Sequence, residues 1–316
     1  MGRTLFVSQN PLERAENLRA VWEAYDGPKD FRHGTDAMRK AERDGYTAIV
    51  CDCLPAYIEG KDRCKVVNIC HGMTGNKVYG LDEPHSPWAN SDAYAQTDYA
   101  IAASRASVPI VARQLGIPED RVVPLGFPRT DAYFAERSKR PGRNYLYAPT
   151  YRNPDIGGWL PRIDWAKVDS LLEDDETLTV KRHYFTHEPL VGMELEHVRE
   201  VKPSEPTTPH LMECDVLITD YSSIMSDAYL CHVPVILTVD DKREYTADRG
   251  MYYDYPSAYS SRWLRAEGNE DVLVDMLREA ADNGMGDVER HYMELTAGAC
   301  DGHSTERVCE LVRGLC

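Results

Sequence analysis

No apolar run in this sequence approaches the roughly 18–20 residues needed to cross a bilayer; Val233 to Val239 is typical of the longest. The opening stretch MGRTLFVSQNPLERAENL has too short an apolar segment for a secretory signal, and Phe6 stands where a myristoylation signal carries Ser or Thr. Positive charge is scarce: 36 Lys and Arg face 52 Asp and Glu, for a formal charge of −16. That balance excludes tight binding to a nucleic-acid backbone. It also excludes a basic membrane-facing surface as the main feature, although a local patch such as 136–143 stays open as a peripheral membrane contact. Cys51, Cys53, Cys64 and Cys70 lack the paired Cys-x2-Cys spacing of a structural zinc site, and no metal site is expected. Cys51 and Cys70 end apolar runs, where a thiol serves as a small core residue. The odd total of nine cysteines without a secretion signal points to free thiols in a reducing cytosol. GxGxxG, GxxxxGK[ST] and GxSxG are all missing, so a dinucleotide fingerprint, a P-loop and a hydrolase elbow are excluded.

What is present is a foldable chain of 316 residues, 42% apolar and 28% charged, too rich in apolar groups for disorder. Short apolar runs alternate with helical stretches. RTLFVSQ, YTAIVCDCL, KVVNIC, YAIAAS and VVPLGF read as buried parallel strands. PLERAENLRAVWEAY, DAMRKAERDG and VPIVARQLG read as helices between them. ERSKRPGRN (136–144) is polar and aperiodic and reads as a linker, after which the pattern restarts. NYLYAPT, TLTVKRH, REVKPS, CDVLITD and VPVILTV are strands. IDWAKVDSLLE, SSIMSDAYLCH, EDVLVDMLREAADNG and STERVCELVRGLC are helices. The fold class is α/β, with domains at 1–138 and 139–316 and the last helix placed to pack back on the first domain. Ligands of such sheets bind at the carboxyl ends of the strands.

Several strand ends carry chemistry. CDVLITDYSSIMSDAYL runs from a strand through Thr219, Asp220, Tyr221, Ser222 and Ser223 into a helix, a place with free N–H groups and hydroxyls for an anion. Asp220 repels phosphate and fits a helix cap or a sugar or glycerol hydroxyl better; an ordinary cap with two serines explains the same residues. His71 follows a strand in ICHGMTGNKVYG, positioned either as a general base or as a solvated loop residue. Lys181, Arg182 and His183 end TVKRH, suiting a diphosphate or a solvated turn, while His187 reads as incidental. Arg129 and Arg152 follow strands with Pro-fixed turns, as phosphate clamps or as ion-pair partners of Asp131 and Asp155. Arg249-Gly250 precedes a run of tyrosines suited to stacking on a base or filling a half-buried surface.

In order and wording, CHGMTGNKVYG, LGFPRTDAY, YLYAPTYR, VKRH, DVLITDYSSIMSDAYL, VPVILTVDDKREY and RGMYYDY resemble the CDP-glycerol glycerophosphotransferase family, the teichoic acid primases and polymerases of Gram-positive cell walls. The resemblance runs from about residue 69 to 255. It implies a GT-B fold, two Rossmann-like parallel-sheet domains facing a cleft, with CDP-glycerol bound mainly by the second. It implies His71 as catalytic base, His183 at the donor diphosphate, Ser222 and Ser223 as diphosphate-binding serines, and Asp220, Asp227 and Arg249 in or near the donor pocket. It further implies a lipid-linked or glycan hydroxyl acceptor, an enzyme working at the inner face of the cell membrane, and no cofactor beyond an optional Mg²⁺ on the diphosphate. Cys70 departs from the family's Trp, and YFTHEP departs from its Pro-containing form after the histidine. The alternatives are a GT-B enzyme using CDP-ribitol or a nucleotide sugar, and an inactive scaffold of a surface-polymer complex.

Overall fold

The computed structural model describes residues 2–52, 57–70, 75–83, 92–137, 140–152, 160–183, 185–186 and 188–316. His71, Cys53, Asp155 and His187 lie outside them. The chain forms two compact units. Unit 1 takes Met1–Phe134 and Glu294–Cys316, and unit 2 takes Ala135–Met293. The division thus falls four residues before the expected boundary at 138, and the chain returns to unit 1 at Glu294, ahead of its last helix.

In unit 1, β1 (Arg3–Ser8), β2 (Lys29–His33), β3 (Tyr46–Cys51), β4 (Lys65–Asn68), β5 (Tyr99–Ile101) and β6 (Val122–Val123) form a parallel sheet in the order β2-β1-β3-β4-β5-β6. Helices α1 (Glu16–Ala24), α2 (Asp92–Ala95) and α3 (Val108–Leu115) connect them. Leu5, Val7, Ile49 and Val66 pack into one core with Cys51 and Cys64. Both thiols are therefore core residues, and burial, helped by the charge of Glu42, pushes the Cys64 thiol up to about 12. The helix expected over 36–45 is absent. A 3-10 turn at Thr35–Met38 is followed by turns. Glu42 is drawn aside to accept the N–H groups of Asp62, Arg63 and Cys64, and local bonds mix three-residue spacing, as in Ala41 N–H to Met38 O, with a four-residue bond from Asp44 N–H to Lys40 O. The edge strand β2 left no sequence signal because none of its residues is buried.

In unit 2, β7 (Arg143–Tyr147), β8 (Glu176–Val180), β9 (Val198–Glu200), β10 (Val216–Thr219), β11 (Val235–Thr238) and β12 (Arg262–Leu264) form a parallel sheet in the order β12-β11-β10-β7-β8-β9. Its helices are α4 (Trp165–Leu171), α5 (Thr207–Glu213), α6 (Ile224–Leu230), α7 (Lys242–Arg249) and α8 (Glu270–Asn283); the unit boundary falls within α9 (Asp287–Ala297). The strands VLIT and VILT are buried throughout, as continuous apolar runs covered on both faces should be. Leu273, Val274, Leu277 and Ala280 form the buried stripe of α8 and join Leu178, Val216 and Ile218 in the core. Starting from β7 the chain builds through β8 to β9, then returns to the other side of β7 and builds through β10 to β12. This is the doubly wound order in which the strand sequence reverses between two neighbours, here β7 and β10.

The described arginines of the basic stretch 136–144 are engaged inside unit 2. The Arg137 guanidinium donates to the carbonyls of Met212, Cys214 and Cys231, Arg140 pairs with Glu213, and Arg143 pairs with Asp282. Within unit 1, LGFPRTDAY receives the C-terminal segment. Asp131 accepts the N–H groups of Ser304 and Thr305, the first two residues of α10 (Ser304–Leu315). Gly126, at φ +80°, has no room for a Cβ, which would run into the Ser304 hydroxyl and come within 2.6 Å of the Ala299 oxygen. Asp131→Ala should therefore lower unfolding free energy by about 1 kcal/mol through the lost cap. Gly126→Ala should destabilise by more than about 1 kcal/mol, since left-handed strain and a backbone clash coincide. Urea denaturation measures both, and a Gly126→Ala protein as stable as the parent contradicts this packing.

Candidate functional site

The carboxyl ends of β8, β7, β10 and β11 are neighbours in the sheet of unit 2, so the loops that leave them meet at one edge. β7 is followed by Thr150, Tyr151 and Arg152, and β8 by Lys181, Arg182 and His183. β10 is followed by Asp220 to Ser223, and β11 by Asp240 and Asp241.

Arg152 occupies the point where the strand order reverses. Its Nε and Nη2 donate to Asp241 at 2.7 and 3.1 Å, its Nη2 also meets Asp220 at 2.8 Å, and its Nη1 donates to the Thr150 carbonyl at 2.7 Å. The guanidinium lies 5.1 Å from the Tyr221 ring and 5.0 Å from the Tyr245 ring, which stack on each other at 3.8 Å. Tyr221 donates its hydroxyl to Asp241 at 2.9 Å. Burial alone would lower the Arg152 pKa, but Asp220 and Asp241 reverse that and raise it, so the side chain stays charged. One cation against two carboxylates leaves this cluster negative, unsuited to an anion. Arg152 is therefore the floor of the site, where the sequence suggested a phosphate clamp.

Asp220 is likewise structural. It is fully buried, and its Oδ1 accepts the Thr150 N–H at 2.8 Å, so it neither caps α6 nor offers itself to a ligand hydroxyl. The Thr219 hydroxyl is spent on the Ala148 carbonyl at 2.6 Å. Asp227 is buried within α6. Asp240 ties the ends of β11 and β12 together by accepting the N–H groups of Ala266 and Glu267. Sequence reasoning missed Asp241 and Tyr245. The signal was a pair of carboxylates immediately after an apolar strand, of which the second, Asp241, answers the opposite Arg152.

Ser222 and Ser223 are half-buried at the turn into α6, with the Ser222 hydroxyl accepting the Ile224 N–H at 3.4 Å. Arg249 is half-buried at the end of α7, near enough to Tyr245 to act on its hydroxyl electrostatically. On the β8 side, Lys181 is buried with its amine 3.0 Å from the Pro203 carbonyl, and burial lowers its pKa. Arg182 pairs with Glu200 at 2.9 Å. His183 Nδ1 accepts the Phe185 N–H at 3.2 Å, which puts the proton of the neutral ring on Nε2 and makes that edge a donor. The ring packs against Tyr151, 5.8 Å away, and Phe185, 5.4 Å away, which also touch each other, and Phe185 is itself half exposed. Arg129 is in unit 1, where it donates to the Tyr133 hydroxyl at 3.2 Å and reaches Glu16 at 4.0 Å, so Asp131 is not its partner. No group of three or more potential metal ligands occurs among the described residues.

The family model for CDP-glycerol:poly(glycerophosphate) glycerophosphotransferase matches residues 33–314. The chain belongs to this family. Among its relatives is the teichoic acid ribitol-phosphate primase of Bacillus spizizenii W23, 24% identical over 82% of this chain and 72% of that protein. The teichoic acid glycerol-phosphate primase of Bacillus subtilis 168 is 23% identical over 66% of this chain and 59% of its own length. The solved structure of the wall teichoic acid polymerase TagF superimposes with a TM-score of 0.77 over 99% of this chain and 89% of that one, at 17% identity. The fold is thus GT-B, built of two Rossmann-like parallel-sheet domains. Among the described residues no helix is long and apolar enough to cross a membrane.

Arg152→Ala should cost about 3–5 kcal/mol, because it leaves two buried carboxylates without their cation. Adding Asp241→Asn should recover part of that loss. Denaturant unfolding of the single and double variants decides it, and a single variant of parental stability contradicts the role.

Proposed function

We propose that the chain is a transferase moving glycerol phosphate from CDP-glycerol to an acceptor hydroxyl, with release of CMP. The observation that carries this reading is the family match over 33–314, together with the position of His183, Ser222 and Ser223 just after β8 and β10, whose carboxyl ends lie on one edge of a doubly wound sheet. The diphosphate sits against the Ser222 and Ser223 hydroxyls. His183 Nε2–H faces the bridging oxygen that leaves with CMP, and Arg249 adds charge. Lys181 contributes positive potential from beneath. The acceptor oxygen attacks the β-phosphorus as His71 takes its proton, the phosphorus–oxygen bond to CMP breaks, and the new phosphodiester forms. Phosphoryl transfer depends mainly on positioning and charge stabilisation, so this set suffices without a covalent intermediate. A Mg²⁺ on the diphosphate would add charge neutralisation.

The acceptor is a hydroxyl of a surface polymer or its lipid-linked primer, met at the cytoplasmic face of the membrane. CDP-ribitol is the second reading of the donor, favoured by the likeness to a ribitol-phosphate primase over most of the chain. Calorimetry with CDP-glycerol, CDP-ribitol and UDP-glucose tests the donor. The cytidine alditol should bind and the uridine sugar should not, and Ser222→Ala/Ser223→Ala should abolish binding. Binding of UDP-glucose alone overturns the reading. His71→Ala should lower kcat by about 10²–10⁴ while donor binding survives. An unchanged rate removes His71 from the reaction.

A further inference from the structure

Two non-glycine residues adopt left-handed backbone angles among the described residues, His232 at φ +57° and Cys70 at φ +53°. His232 follows the end of α6 and bonds its N–H to the Tyr229 carbonyl, an ordinary way for a helix to stop. Cys70 ends no helix. It lies two residues past β4, where an L side chain in this conformation crowds its own carbonyl and persists only if the surroundings impose it.

The surroundings do impose it. The β ladder runs out with Ile69, whose N–H reaches the Cys51 carbonyl at 2.7 Å. The Asn68 side chain then accepts the Cys70 N–H at 2.9 Å, a turn closed by an amide two residues back. From α1, Asn17 donates its amide to the Cys70 carbonyl at 3.1 Å and accepts the Arg129 N–H at 3.0 Å. Each asparagine is 2% exposed, so both amides are committed to the protein interior. Both backbone polar groups of one strained residue are thus held by buried side chains, one from the strand before it and one from a helix 53 residues earlier. Burial and the nearby Asp52 push the Cys70 thiol up to about 12, so it is no nucleophile at neutral pH. The position serves through its backbone.

We propose that Asn17 and Asn68 are positioning residues for the transfer reaction: together they clamp Cys70 in a left-handed bend and so fix the chain at the residue immediately before His71. This rests on the reading of His71 as the base. Neither asparagine belongs to the motifs that carry the family resemblance.

The test is made on the full chain labelled with [¹⁵N]histidine, with the His71 resonance assigned by its loss in His71→Ala and with CMP release from CDP-glycerol followed in parallel. Asn68→Ala should displace the His71 resonance and its titration midpoint, leave His183 unmoved, and lower kcat by up to about 10²-fold with donor KM retained. Cys70→Val should do the same, because a β-branched residue resists this angle more than Cys does. Asn68→Ala/Cys70→Gly should return the resonance and the rate towards the parent, since glycine takes the bend without a brace. Should Asn68→Ala not fold, Asn17→Asp replaces it, losing the donor to Cys70 while keeping the acceptor for Arg129. An unmoved His71 signal in the asparagine variants, or no recovery with glycine, overturns the clamp. An unchanged rate in His71→Ala with a moving signal overturns the base and leaves the clamp standing.

Discussion

The site in unit 2 depends on one buried guanidinium. A doubly wound sheet reverses its strand order between two neighbours, and the loops leaving those strands must diverge, opening a crevice. Here the neighbours are β7 and β10, and Arg152 from the first loop is held by Asp220 from the second and Asp241 from the next strand. A forked, planar cation is suited to this, since it can face two carboxylates and a carbonyl at once and still stack on two tyrosines. The arrangement costs desolvation of three charges, and it returns a fixed geometry for the turn that presents Ser222 and Ser223.

Charge in the rest of the edge is arranged with similar economy. The chain is strongly acidic, yet its proposed donor is an anion. Arg182 is matched by Glu200 and Arg152 by two aspartates, so neither holds spare positive charge for a diphosphate. The proposed donor contacts are two serine hydroxyls, the Nε2–H of His183 and Arg249, with Lys181 behind them. Preorganised donors of this kind stabilise charge where it develops and need no reorientation during the reaction. The His183 ring is pre-set by the Phe185 N–H on its other nitrogen and by the faces of Tyr151 and Phe185.

Most strands were legible in the sequence, because strands buried on both faces read as plain apolar runs, VLIT and VILT above all. The serines of DYSS and the basic end of β8 were legible as strand-end polar groups. The role of Arg152 was not. A sequence shows an arginine after a strand but not the two aspartates, 68 and 89 residues later, that take up its donors. The C-terminal docking onto LGFPRTDAY was hidden for the same reason, since Asp131 and Ser304 are 173 residues apart. Nor does the sequence show why residue 126 is glycine: Ser304 and Ala299 leave no room for a side chain. Asn17, an unremarkable polar residue on an amphipathic helix, gave no signal at all.

The most direct measurement is the identity of the nucleotide released when CDP-glycerol is turned over. Attack at the β-phosphorus breaks the phosphoanhydride and yields CMP, with glycerol phosphate joined to the acceptor, and that is the product expected by chromatography against standards. CDP would mean that the bond between glycerol and phosphate breaks instead, as in glycosyl transfer on the same fold, and would contradict the reaction assigned to this site.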